Sequence, residues 1–400
     1  MGVLEVIEAI FGDLNLLSHT PVDPFPSAYS LTFDTSNASL NTCQTTASTP
    51  AAVKDLCGVE VDLTGNPANP LYAGHNDNDM LYVGSMAKVF GMYVAFELKS
   101  RVEKQAKNMI ANGLSTSTPG WESKVYDELK KAWKPKLDAK FPSLPSGMPD
   151  FAQILKLSTT GDASFPVQKT AADIDRIGEN GTPEGAYGDW MKSMMRWSNN
   201  EAAGKCIFPL SYSYINGVLD SAGFFDASAK KGLWVSGDFR GNDWVKGPGN
   251  KGGQPLASRF ASVQGRTKSN FTGTAFQVAR LLTLMAQGKL VDATASNDMI
   301  NTMSQGILDS STGKKGTNNF IADALAAASP ARPVSQINGK IGLGDDSFAH
   351  DCGIIRVDRG SDPSRTMRFV EVILGAAPTN GAGFDQLTVS YYDCITALHP

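Results

Sequence analysis

Residues 81–98, LYVGSMAKVFGMYVAFEL, decide how the rest of the chain is read. Asn76, Asp77, Asn78 and Asp79 just before them are turn formers, and MLYVG (80–84) reads as a short strand. From Ser85 onward, Val89, Met92, Tyr93 and Phe96 recur at three- and four-residue intervals, the period of a helix. Ser85 therefore stands at or just inside a helix start, with Lys88 one turn further along the same side. A serine hydroxyl is a poor nucleophile until a base lies within hydrogen-bond reach. A lysine that is desolvated, or close to another cation, can lose its proton near neutral pH and act as that base. The free N–H groups of a helix start also stabilise developing oxyanion charge. The plainer alternative is a serine that caps the helix beside a solvated lysine. Two more S-x-x-K strings, Ser228 to Lys231 and Ser311 to Lys314, precede no strongly apolar helix.

Working outward toward the N-terminus, Val59 to Leu63 and Leu71 to Ala73 read as short strands. Residues 21–50 are rich in proline, serine and threonine and read as an extended arm, preceded by one short amphipathic helix in residues 1–20. Toward the C-terminus, a helix is expected around Lys124 to Trp133, inside proline-rich loops. Residues 187–205 read as helix interrupted at Ser198-Asn199-Asn200, and Tyr214 to Ala222 as helix stopped by Gly223. Residues 231–270 are glycine-rich and polar and read as a long loop. TAFQVARLLTLMAQG (274–288) is an apolar helix, and another follows at about 293–304. Ile337 to Gly342, Cys352 to Val357 and Met367 to Leu374 read as strands, the last two as a hairpin, before a closing helix at 384–398. No fixed-period repeat is present.

Two further motifs carry chemistry. In Ser198-Asn199-Asn200 a hydroxyl can relay a proton and an asparagine can hold a substrate amide and a nearby lysine; the same residues also favour capping turns. In Lys340-Ile341-Gly342 the lysine supplies positive charge, and the glycine leaves room for a substrate backbone beside a strand edge. Other K-x-G strings start at Lys230, Lys251 and Lys314, but only the one at Lys340 falls on an expected strand. An ordinary edge strand with a solubilising lysine is the alternative there.

The bulk numbers exclude several classes. The 400 residues, 42% of them hydrophobic, can bury a large core. The 36 basic and 40 acidic residues give a net charge of −4 and no concentrated basic face, so no nucleic-acid partner is expected. The densest basic run, Lys99 to Lys107, is interleaved with Glu97 and Glu103 and fits a solvated helix face. No apolar run is long enough to span a membrane. MGVLEVIEAIFGDLNLL lacks the basic start of a secretory signal, and Val6 is a poor match to a myristoylation signal. The cysteines, Cys43, Cys57, Cys206, Cys352 and Cys394, are odd in number and form no CxxC or Cys/His cluster, so no zinc site is expected. Pairing of Cys43 with Cys57, or of Cys352 with Cys394, stays open. No glycine-rich phosphate loop follows a strand, and no organic cofactor or metal is implied.

Taken in order, the three motifs resemble S-x-x-K, S-x-N and K-T-G, the signature set of the serine β-lactamases and penicillin-binding D-alanyl-D-alanine peptidases. LYVGSMAKVFGMYVAFEL is similar to that family's strand, nucleophile and buried helix, and WSNNEAA (197–203) to its S-D-N-x-A-A segment. TGTAFQVARLLTLMAQGKLVDATASNDMINTM (272–303) resembles its helix pair, and INGKIG (337–342), DCGIIRV (351–357) and RFVEVILGA (368–376) its closing strands. The likeness is nearest to the class A β-lactamases and covers roughly residues 75–100 and 187–398. It implies an α+β fold, a five-stranded antiparallel sheet flanked by helices with an inserted all-helical region. The domain would span 51–400, with its sheet at about 51–84 and 337–400 and its helices at about 86–335, behind an N-terminal arm at 1–50.

The resemblance also implies roles. Ser85 would be acylated and Lys88 would be the general base. Ser198 would shuttle the proton toward the leaving nitrogen, Asn200 would bind substrate amide and Lys88, and Lys340 would orient a substrate carboxylate. The backbone N–H groups of Ser85 and Leu343 would form the oxyanion hole beside Gly342. The substrate would be a β-lactam or a D-amino-acid peptide, hydrolysed through an acyl-enzyme; an esterase, or a non-catalytic binding module on the same scaffold, are the alternatives. An exported protein, periplasmic or secreted, is favoured by the family. Three departures matter. Ile341 and Leu343 stand where family members carry hydroxyls that bind the β-lactam carboxylate, a loss worth about 1–3 kcal/mol. No E-x-x-L-N glutamate for deacylation lies between Ser198 and Lys340, where Asp238 and Asp243 fit no matching pattern. Ser85 precedes Ser198 by about 113 residues, which places an insertion near 110–180.

Overall fold

The computed structural model describes residues 20–37, 40, 53–142, 144, 147–178, 181–229, 231–237, 239–240, 270–303, 320–343, 349–359, 365–376 and 381–400. The expected helix in residues 1–20, Asp238 and Asp243, Cys43, the S-x-x-K string at Ser311 and the K-x-G strings at Lys230, Lys251 and Lys314 lie outside the described residues, wholly or in part.

The sheet is antiparallel and built from both ends of the chain. Its strands are β1 (Cys57–Asp62), β2 (Leu71–His75), β10 (Gln336–Gly339), β11 (Gly342–Leu343), β12 (Ala349–Val357) and β13 (Met367–Ala376), in the order β10-β12-β13-β1-β2 with β11 also paired to β12. There are six strands rather than five because the expected strand Ile337 to Gly342 is broken at Lys340-Ile341. The Lys340 N–H still donates to the Cys352 carbonyl, so one ladder bond survives the break. The remaining short strands, β3 (Leu81–Tyr82), β4 (Lys156–Leu157), β5 (Ala163–Ser164), β6 (Phe225–Asp226), β7 (Lys231–Gly232), β8 (Trp234–Val235) and β9 (Phe271–Gly273), lie off this sheet. The MLYVG strand is thus only two residues long and pairs with β9. The region read as loop after residue 231 begins with β7 and β8.

Eleven helices fall among the described residues. They are α1 (Ala87–Ala111), α2 (Trp121–Lys140), α3 (Phe151–Ile154), α4 (Ala171–Ile177), α5 (Tyr187–Arg196), α6 (Asn200–Leu210), α7 (Tyr212–Ser221), α8 (Ala275–Ala286), α9 (Ala293–Met303), α10 (Phe320–Ala327) and α11 (Gly381–Leu398). The region near 110–180, read as an insertion, holds α2, α3, β4, β5 and α4. Every residue of α1 from Ala87 to Leu98 is buried, so this helix is covered all round where it starts and reaches the surface only later. It ends at Asn112 followed by Gly113 at φ +99°, a left-handed stop that suits glycine. The helix expected at Lys124 to Trp133 extends in both directions and runs through Pro135.

Two hydrophobic cores sit on opposite faces of the sheet. Val59, Val61, Val370, Val372 and Leu374 face the helical region around α1, while Met367, Phe369, Ile373 and Ile355 face α10 and α11. This is why β13 reads as a nearly continuous apolar run rather than an alternating one. The extended arm, residues 20–37, is sewn onto the helices. The Val22 N–H donates to Gln105, Trp133 Nε1 donates to the Val22 carbonyl at 2.6 Å, and the Tyr29 N–H donates to the Ala222 carbonyl. The Tyr29 hydroxyl donates to Glu97 and accepts the Val291 N–H. Cys57, Cys206 and Cys352 are buried thiols, so neither expected disulfide forms. Cys394 is disulfide-bonded, with its partner outside the described residues.

One polar feature interrupts the second core. Glu60 and Glu371 are direct cross-strand neighbours, both fully buried, on the face covered by α11. Burial, the Glu371 charge and then Asp62 push the Glu60 carboxyl well above its usual range. Burial does the same for Glu371, with the Thr388 hydroxyl opposing it and the Asp351 charge adding to it. A carboxyl that holds its proton more tightly folded than unfolded makes folding take up protons. Its contribution is therefore intact below the ordinary glutamate range and is lost as pH rises above it. Glu371→Gln should flatten the fall in melting temperature between about pH 5 and about pH 8. Equal slopes in variant and wild type, followed by circular dichroism, would contradict this account.

Candidate active site

Ser85 is placed by a tight turn. The Val83 N–H donates to the Phe271 carbonyl, which fixes the end of β3. Gly84 then takes φ +52°, and a 3-10 turn over Gly84–Met86 leads into α1. A β-carbon at Gly84 would collide with the Leu343 carbonyl oxygen, and one at Gly342 with the Val83 carbonyl oxygen. The two glycines let the turn and the broken edge strand interlock, which brings the backbone of residues 83–86 against that of 342–343. The room at Gly342 that sequence reading gave to substrate backbone is thus taken by the turn that carries Ser85.

The serine does not cap the helix. Neither the 3-10 turn nor α1 has a side-chain cap, and the Ser85 hydroxyl accepts a hydrogen bond from Lys88 Nζ at 2.9 Å. Lys88 is completely buried rather than solvated. Its amine also donates to the Ser198 carbonyl at 2.6 Å, to Ser198 Oγ at 3.1 Å and to Asn200 Oδ1 at 2.7 Å.

Ser198 and Asn200 reach Lys88 because the chain turns sharply between α5 and α6. Ser198 holds φ +53°, a strained value for a serine and a frequent mark of functional sites. Asn199 is the N-cap of α6, its Oδ1 accepting the Ala202 N–H at 2.8 Å. Its Nδ2 donates to the carbonyls of Gly178 and Gly181 at 3.2 and 2.7 Å. The three-residue motif is therefore a capping turn and a chemical constellation together, with the roles divided among its members. Asn199 is a positioning residue that sequence reasoning left without a role.

Lys340 arrives from the break in the edge strand. It too is completely buried, and its Nζ donates to Ser198 Oγ at 2.8 Å and to the Ile341 carbonyl at 3.1 Å. Ser198 Oγ thus accepts from two lysine amines. Ile341 is buried, whereas Leu343 is 55% exposed, one of the few large hydrophobic side chains so open. The competing S-x-x-K string is not at the site: the Ser228 hydroxyl bonds Asp226, and Lys231 is exposed on β7.

Two neighbours were not foreseen. Phe239 places its ring 4.5 Å from Lys88 Nζ and stacks on Phe271 with centroids 4.0 Å apart. Nothing in a glycine-rich loop sequence singled it out. Asp351, buried on β12, accepts the N–H groups of Ile321 and Cys352 at 2.9 and 2.8 Å. Burial pushes its carboxyl up to about 7, against the pull of those N–H groups and of the Lys340 charge. Among the described residues no group of three or more His, Cys, Asp or Glu side chains could hold a metal ion, and no helix is long and apolar enough to cross a membrane.

The family model described as the beta-lactamase enzyme family matches residues 175–362, which include Ser198, Asn200 and Lys340. Among solved structures, the chain is similar to a class A beta-lactamase from Mycobacterium abscessus, at 12% identity and a TM-score of 0.47 over 90% of this chain and 100% of that one. It is similar to a beta lactamase from Xanthomonas campestris pv. campestris at 14% identity and a TM-score of 0.47, covering 89% and 97%. It is also similar to a structure titled PBP-A at 12% identity and a TM-score of 0.46, covering 93% and 99%. No curated protein matches the chain. Residues 175–362, somewhat under half of the chain, thus match the beta-lactamase enzyme family, and the structure draws the three motifs together in space.

Proposed function

We propose that this protein is a serine hydrolase that cleaves an amide, a β-lactam or a D-amino-acid peptide, through an acyl-enzyme on Ser85. One observation carries the reading: the buried Lys88 amine contacts Ser85 Oγ at 2.9 Å and shares Ser198 Oγ with the equally buried Lys340. A buried amine beside a second cation gives up its proton more readily than a solvated one. Neutral Lys88 then takes the Ser85 proton as Oγ bonds to the substrate carbonyl carbon. The N–H groups of Ser85 and Leu343, on backbone segments held together by Gly84 and Gly342, receive the oxyanion. Collapse of the adduct breaks the C–N bond. Lys88 returns the proton through Ser198 to the leaving nitrogen, while Asn200 holds the substrate amide and Lys340 orients a substrate carboxylate. Water then hydrolyses the ester.

A non-catalytic binding module fits this interior poorly. Two buried amines are costly to keep unless they do chemistry. Ile341 and Leu343 favour a substrate that demands less of the carboxylate site, such as an ester of the same acyl class.

Two outcomes are expected. A fluorescent penicillin or a fluorophosphonate should add covalently to the protein, as read by intact mass, and Ser85→Ala should abolish the adduct. Lys88→Ala should slow acylation by about two to four orders of magnitude, the range for loss of a general base. A folded protein that no such probe labels would favour the binding module. Separately, Ile341→Thr should lower KM for carboxylate-bearing β-lactams about tenfold, because one neutral hydrogen bond is worth about 1 kcal/mol or somewhat more. An unchanged or raised KM would remove position 341 from carboxylate recognition.

A further inference from the structure

Phe239 is one of the few described non-glycine residues held at positive φ, here +61°. For a bulky residue such a backbone costs about 1–3 kcal/mol, so its surroundings must impose it. They do so from two sides. Its ring lies nearly parallel to that of Phe271, with 7° between the planes. The next residue, Arg240, packs over Gly204 of α6, where a β-carbon would collide with its side chain, and pairs with Glu201 at 3.4 Å. The result of this clamp is a ring centred 4.5 Å from Lys88 Nζ, too close for a water molecule to fit between them.

We infer that Phe239 is a specificity-determining residue that sets the lifetime of the acyl-enzyme, by denying hydrolytic water one approach to Lys88. The inference rests on the acyl-enzyme reading above. Hydrolysis needs a water oxygen to bond to the ester carbonyl carbon while a base takes the water proton. The adduct then expels Ser85 Oγ, which regains a proton from that base, and a carboxylic acid departs. Lys88 is the amine placed to serve, and the ring covers it on one side. Acylation suffers less, because its proton comes straight from the Ser85 hydroxyl, already 2.9 Å away with no water between.

The test follows adduct loss. Protein loaded with a fluorescent penicillin is freed of excess reagent, and the acyl-enzyme is followed by intact mass. Phe239→Gly removes the ring and suits the positive φ, so the variant keeps its fold, which thermal unfolding checks. It should lose the adduct at least about tenfold faster than wild type, with its acylation rate within about threefold. Phe239→Leu, which restores apolar bulk, should bring the lifetime back to within about threefold of wild type. An unchanged lifetime in Phe239→Gly, or a Phe239→Leu adduct as short-lived as that of Phe239→Gly, overturns the inference while leaving the acyl-enzyme intact. A wild type that no penicillin labels sinks the reading beneath it, and this inference with it.

Discussion

One oxygen atom accepts from two buried amines, and the rest of the site is arranged around that contact. Ser198 Oγ lies 3.1 Å from Lys88 Nζ and 2.8 Å from Lys340 Nζ. Two amines brought so close out of water are costly to keep, and oxygens meet them from several directions. Those oxygens come from Ser85, from the Ser198 and Ile341 carbonyls and from Asn200. Asn199 holds the turn that presents two of them, which is why a residue that touches no part of the chemistry is still anchored at both ends of its amide.

The second constraint is steric. The sheet comes from residues 57–75 and 336–376, and Ser85 from the turn that starts a helix between them. The two meet at glycine against backbone, Gly84 against the Leu343 carbonyl and Gly342 against the Val83 carbonyl. Side chains there would hold the segments apart. The break in the edge strand serves the same end. An uninterrupted ladder would keep Lys340 in regular alternation, whereas the break at Lys340-Ile341 accompanies an amine that bends into the interior toward Ser198.

Much of this was legible in the sequence because it is written in local patterns. The apolar spacing after Ser85 announces a helix, and the three short motifs fall on the elements that present them. What was not legible depends on contacts between distant segments. The length of β3 was overstated because MLYVG satisfies strand propensity over five residues, while its partner β9 offers only a short edge. The split of the edge strand follows from packing on the Ser85 turn, which no residue type at 340 or 341 encodes. The disulfide alternatives failed because sequence spacing says nothing of Cα separation. Phe239 was invisible because its role comes from Phe271 and Gly204, each remote from it in the chain. That Glu60 and Glu371 are both covered comes from the packing of α11, which neither strand's own sequence encodes.

The N-terminal arm imposes an order of events on folding. The groups that fasten residues 22–29 lie later in the chain, among them Gln105, Trp133, Ala222, and finally Arg280 and Val291, the last two gripping Tyr29. As the ribosome delivers the chain, the arm emerges before these partners and finds its final seat only after residue 291 has been made. Until then the Glu97 carboxylate on α1 accepts from Tyr93 without the second hydroxyl that Tyr29 brings. A segment made before all of its partners is among the last to be secured.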